Sequence, residues 1–260
     1  MRRLAPAAGT TPVGVANAGA HHLLPTRRSL AVGFALLALA GAAYAAARES
    51  SAFAVAHIDV RGASPGVRAQ VRQALAPLLG TTLLALDGTA VKRRVEALPT
   101  VVTAEYDRAF PHTLRVAIVA EKPVAVLRRG REAWLVSARG RVTAQIPRPD
   151  APPLPRIWVA TKTAVSAGSF LAASAGGIAA RALALATRFP ARIAVAELRH
   201  GQLAFRLRSG LELGLGEPTD IRLKLAIARR ALAQLPSGAT YLDVSVPGRP
   251  VAGVDSQVSG

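Results

Sequence analysis

A chain of 260 residues has room for one large folded unit or two smaller ones. Apolar residues make up 51% and aromatics only 4%, so any core must be built from Ala, Val and Leu, and the absence of Cys excludes disulfides, thiolate metal sites and lipidated cysteine. The formal charge is +18, which attracts polyanions without specificity. All but four of the 33 basic residues are Arg, however, and no basic run is interleaved with aromatics, so the charge reads as compositional rather than as a nucleic-acid interface.

Residues 1–28 carry Pro, Gly, Ala, Thr and His without hydrophobic period and read as a disordered tail. Ser29 to Ala47 contains no charged residue. As a helix it spans roughly 28 Å, about one hydrocarbon core. An isolated span must satisfy its own backbone hydrogen bonds, which selects a helix. Leu30, Val32, Phe34, Leu36, Leu37, Leu39 and Tyr44 are the expected membrane-facing residues of an anchor over 29–48. Arg27 and Arg28 directly before it predict a cytoplasmic amino terminus. A competing reading takes Thr26-Arg27-Arg28-Ser29-Leu30 as a twin-arginine export signal cleaved near Ala45-Ala46-Ala47. The long preceding tail and the long apolar run favour a retained anchor. Both readings place the rest of the chain outside the plasma membrane.

Beyond the span, Val55, Ile58 and Val60 predict a strand over 55–61, ended by Gly62. Ser64-Pro65 predicts a capped helix start. Val67, Val71, Ala74, Leu75 and Leu78 follow at helical spacing to Gly80. Asp87 is the expected cap of a second helix reaching about Leu98, with Val91, Val95 and Leu98 buried. The stretch LPTVVTAEYDRAFPHTLRVAIVAEKPVA then reads as a hairpin. Val102, Ala104 and Tyr106 alternate with polar residues, the turn is Phe110-Pro111-His112, and Leu114, Val116 and Ile118 share a face. Pro99 and Pro123 are read as stops. A hairpin alone is too small to be stable, so the first strand is expected beside the third in a mixed sheet covered by two helices.

This stretch resembles the FtsQ/DivIB cell-division family, whose small extracytoplasmic domain is of POTRA type. The matching positions are Leu98, Pro99, Val101, Ala104, Arg108, Pro111, Leu114, Glu121, Pro123 and Ala125, with Ile58, Val60, Gly62, Gly80, Leu86 and Asp87 upstream. The resemblance implies an α+β protein: one transmembrane helix, a POTRA-like β-α-α-β-β domain over 53–125, a second mixed antiparallel β domain with helices over 126–255, and a tail over 256–260.

In that second domain, Ala133 to Ile146 predicts two strands around an Ala-Arg-Gly turn, and Pro147–Pro155 an extended link before Ile157-Trp158-Val159. Residues 172–189 read as an Ala-rich helix weakened by Gly176-Gly177. Ile193–Leu198, Leu203–Leu207 and Leu211–Leu215 read as a meander. A helix lined by Ile221, Leu225, Ala228, Leu232 and Leu235 follows. Gly214-x-Gly216 lacks a third glycine and is followed by Glu217, so it reads as a turn rather than a phosphate loop. Tyr241, Leu242, Asp243, Val244, Ser245 and Val246 form the expected closing strand, followed by Pro250 and Val251.

The family binds its partners at this closing strand, so the resemblance implies an open edge that takes up a strand from small bitopic proteins of FtsB and FtsL type. The plain alternative is that the strand only completes the sheet. No nucleophile system, metal motif or dinucleotide fingerprint stands out, and His57 and His112 lack companions at ligand spacing. The sequence therefore predicts no enzyme, no cofactor, no metal and no small-molecule substrate. The expected function is a divisome scaffold that acts at the septum and helps control septal peptidoglycan synthesis. The alternative is an exported soluble scaffold or cell-wall polysaccharide-binding protein with a cleaved signal.

Overall fold

The computed structural model describes residues 27–254. The expected tails, 1–28 for all but its last two residues and 256–260, lie outside these. The chain divides into two units between Ala47 and Arg48. The first contains most of helix α1 (Arg27–Glu49), whose 23 residues are long and apolar enough to cross a membrane. Leu30, Val32, Phe34, Leu36, Leu37, Leu39 and Tyr44 all stand exposed on it. In water such a surface is costly, at about 25 cal/mol per Å² of apolar area.

The second unit opens with β1 (His57–Arg61), α2 (Pro65–Leu75), α3 (Gly88–Glu96), β2 (Val101–Ala109) and β3 (Thr113–Ala120). The sheet order is β1-β3-β2, with β1 parallel and β2 antiparallel to β3. Leu114, Val116 and Ile118 lie on one face of β3 and pack into a core with Val71, Leu75, Val91 and Val95. The central position of the third strand is the one expected. Asp87 caps α3 by accepting the Thr89 N–H at 2.8 Å. Ser64 precedes α2 but makes no side-chain cap bond; its carbonyl accepts from Arg68 N instead. Tyr106 is not an inward residue: its ring lies where a Cβ at Gly88 would stand, and it remains partly exposed.

The remaining strands are β4 (Pro123–Arg129), β5 (Glu132–Ser137), β6 (Val142–Gln145), β7 (Arg156–Trp158), β8 (Ile193–Arg199), β9 (Gln202–Leu207), β10 (Glu212–Gly216), β11 (Tyr241–Asp243) and β12 (Val251–Gly253). They form one sheet in the order β12-β11-β10-β9-β8-β7-β4-β5-β6. Pro123 opens β4 rather than stopping the chain, a position where its missing N–H costs little. Glu121 and Lys122 alone connect β3 to β4, and residues 125 and 126 both belong to β4. The β4–β7, β7–β8 and β10–β11 pairings are parallel, so this sheet is mixed.

Helices α4 (Ile178–Leu185) and α5 (Ile221–Leu232) supply Ala179, Ala180, Leu183, Leu225 and Ala228 to the large core. The expected helix over 172–189 is regular only from Ile178. A π-turn over Ala173–Gly177 holds Gly176 at φ 97°, which an L side chain resists. Across seven strands, Trp134, Leu127, Ile157, Ala196, Phe205, Leu213 and Leu242 stand in register, and all are buried. They form one transverse apolar row beneath the helices.

Two arginines secure the junction between the two sheets. Arg139 donates to the buried Glu121 carboxylate at 2.6 Å, and Arg141 Nη1 donates to the Val101 carbonyl at 2.9 Å. Gly62 sits at φ 90°, and a Cβ there would strike the Ile118 carbonyl. Gly62→Ala should therefore lower stability by about 1–3 kcal/mol in urea unfolding. Gly66→Ala, in the open first turn of α2, should raise it by up to about 1 kcal/mol.

Candidate partner-binding edge

The carboxyl-terminal rim is built from α5 outward. Lys224 is buried on α5 and donates to the Glu217 carbonyl at 2.7 Å, which ties the turn after β10 to the helix. Beyond α5 the chain returns as β11, parallel to β10, with Glu212 opposite Tyr241, Leu213 opposite Leu242 and Gly214 opposite Asp243. Leu242 and Val244 are buried, and Val244 N–H donates to the Gly214 carbonyl at 2.8 Å. Asp243 Oδ1 accepts from Ser245 N at 2.7 Å and turns the chain away from the sheet.

The expected open edge along Tyr241–Val246 is not found. The strand is only three residues long, and its outer side is covered by β12, which pairs antiparallel with Tyr241 opposite Gly253, Leu242 opposite Ala252 and Asp243 opposite Val251. Gly253 suits this place because a Cβ there would crowd the Tyr241 ring. The free rim therefore passes to β12, and no strand lies beyond it among the described residues. Of the residues expected to bind a partner, Leu242 and Val244 are interior, and Tyr241, Asp243 and Ser245 are half-buried. Val246, Pro250 and Val251 are exposed. Val254, 67% exposed, joins Val246 and Val251 as an apolar rim residue that sequence reasoning missed. A short apolar run after Pro250 was its only signal.

The other end of the sheet is less open. Val142 on β6 exchanges backbone hydrogen bonds with Ser169 and Gly168, and Phe170 bridges Arg141. In the smaller sheet, Arg108 Nη2 donates to the Leu86 carbonyl at 2.7 Å. His112 Nδ1 lies 3.2 Å from the Ala54 carbonyl. Among the described residues no group of three His, Asp or Glu side chains is placed to hold a metal ion.

Residues 53–119, the β-α-α-β-β portion, match the POTRA domain, FtsQ-type. A cell division protein FtsQ of Streptomyces collinus is 28% identical over 233 residues, covering 86% of this chain and 88% of that one. A cell division protein FtsQ of Streptomyces venezuelae is 25% identical over 237 residues, or 88% and 85% of the two chains. One from Mycolicibacterium smegmatis is 37% identical over a shorter stretch of 70 residues, covering 27% and 21%. These matches mark residues 53–119 as a POTRA domain of FtsQ type within a chain that is similar to cell-division proteins. The chain is similar along most of its length to cell division proteins FtsQ, and these relatives support a role in the divisome.

An interior and an exposed position on β11 and β12 predict different outcomes. Leu242→Asp places an unpaired charge in the core and should destabilise the protein by about 3 kcal/mol or more. Val251→Asp should change stability by no more than about 0.5 kcal/mol. Thermal unfolding of both variants checks this.

Proposed function

We propose that this protein is a single-pass, non-catalytic scaffold of the divisome at the plasma membrane and division septum. The span over 29–48 anchors it, with the amino terminus in the cytoplasm. The POTRA-like region over 53–125 recruits it to the division site. The region over 126–255 captures partners of FtsB and FtsL type outside the membrane and, through them, influences septal peptidoglycan synthesis.

The reading rests on one observation: the three-residue β12 ends a large sheet, beside exposed Val246, Val251 and Val254. An incoming strand pairs with the unfilled side of β12, so its backbone bonds supply affinity and the valines supply selection. Tyr241 and Leu242 act from behind by holding β12 in place.

Val251→Glu with Val254→Glu should reduce co-purification of the bitopic partners by about tenfold or more, while membrane fractionation stays unchanged. Undiminished co-purification would remove β12 as the partner edge. Depletion should leave filaments or failed septa under the microscope. Mass spectrometry of the membrane-extracted protein should find an amino terminus before Ser29, whereas a terminus near Ala47 would show a cleaved signal.

A further inference from the structure

The face of the large sheet opposite α4 and α5 has a character of its own. Strand register places Val126, Arg156, Val195, Arg206 and Glu212 in one outward row, with Arg128 opposite Trp158 in the next. Over β4 and β7 the Pro-rich link folds back, and Arg148 Nη2 donates to the Gly130 carbonyl at 2.6 Å. The result is two adjoining hollows of about 470 and 260 Å³. Arg128, Arg148 and Arg156 line both, Arg208 lines the larger and Trp158 the smaller.

No acidic side chain lines either hollow. Glu197, two residues beyond Val195 on the same face, is engaged by Arg199 at 2.6 Å. Arg128 is only 8% exposed, and its Nη1 is buried without an acceptor. A buried cation without a counter-charge is costly, and a bound anion removes that cost. Burial, then the charges of Arg148 and Arg156, push the Arg128 guanidinium below its ordinary value.

We propose that this arginine-lined hollow is a binding site for a phosphate-bearing group. A planar carboxylate is saturated by one guanidinium fork, whereas a tetrahedral phosphate offers oxygens in several directions to Arg128, Arg148 and Arg156 together. Trp158, 51% exposed and lining the smaller hollow, offers aromatic surface to the organic part of the ligand. The site is separate from β12 and does not depend on partner capture there.

Tryptophan fluorescence of the full chain in phosphatidylcholine nanodiscs tests the proposal, because Trp134 is buried and Trp158 reports the hollow. Inorganic phosphate should give a saturable change that chloride at matched ionic strength does not give and that Trp158→Phe abolishes. Arg156→Gln, at an exposed position, should weaken phosphate binding by about tenfold or more, as should Arg128→Met in protein shown to melt cooperatively. Nanodiscs containing phosphatidylglycerol separate the sources. Loss of the free-phosphate response there identifies a lipid headgroup, and an unchanged response identifies a soluble phosphate; either result supports the site. Absence of saturable binding to the wild type, or equal affinity in Arg156→Gln, would overturn it.

Discussion

The large sheet depends on the register of one row of side chains. Trp134, Leu127, Ile157, Ala196, Phe205, Leu213 and Leu242 come from seven strands and point the same way. Side chains alternate along a strand, so a slip of one residue in any member would expel its apolar residue and drive its neighbour inward. For β4 and β7 a slip in one direction would bring in an arginine, Arg128 or Arg156. Burying the apolar row thus also settles where the charges go, and the basic outer face follows from it.

With so few aromatics, this core is closed by small residues. Ala179, Ala180, Ala182 and Ala228 are the buried residues that bring α4 and α5 close to the strands, while Leu and Val fill the depth between them. Gly176 does the same for the backbone, since a Cβ there would press on Ile157. The smaller sheet joins the larger across only Glu121 and Lys122. The Glu121 side chain is almost wholly buried and held by Arg139, while Arg141 reaches back to Val101. The passage is therefore tied at two points rather than hinged on a loose linker.

Elements that announce themselves by periodicity or by a cap were legible in the chain. Leu114, Val116 and Ile118 alternate cleanly, Asp87 precedes a helical stripe, and His200-Gly201 and Ser209-Gly210 separate the meander strands. β4 was hidden because Val124 to Arg128 does not alternate, being covered on both faces, and Pro123 obscured its start. The truncated helix before Leu185 turned on the left-handed Gly176, a tertiary constraint from Ile157. At the carboxyl-terminal rim, Val246 and Val251 were singled out in the chain as candidate partner contacts, and both stand exposed. The covering of β11 by β12 was not legible, because three residues after a proline carry no period. The arginines of the outer hollow lie on separate segments between residues 128 and 208, and only strand pairing gathers them.

The terminal strand of the large sheet has a consequence for how the molecule comes apart. β12 contributes none of the buried core residues, and it grips one neighbour along three positions. Leu242 and Val244, by contrast, keep β11 rooted through their own burial and the Gly214 carbonyl. The final segment behaves as a hem: it can fray or be unpicked at the expense of its own few amide bonds, leaving the fabric behind it intact.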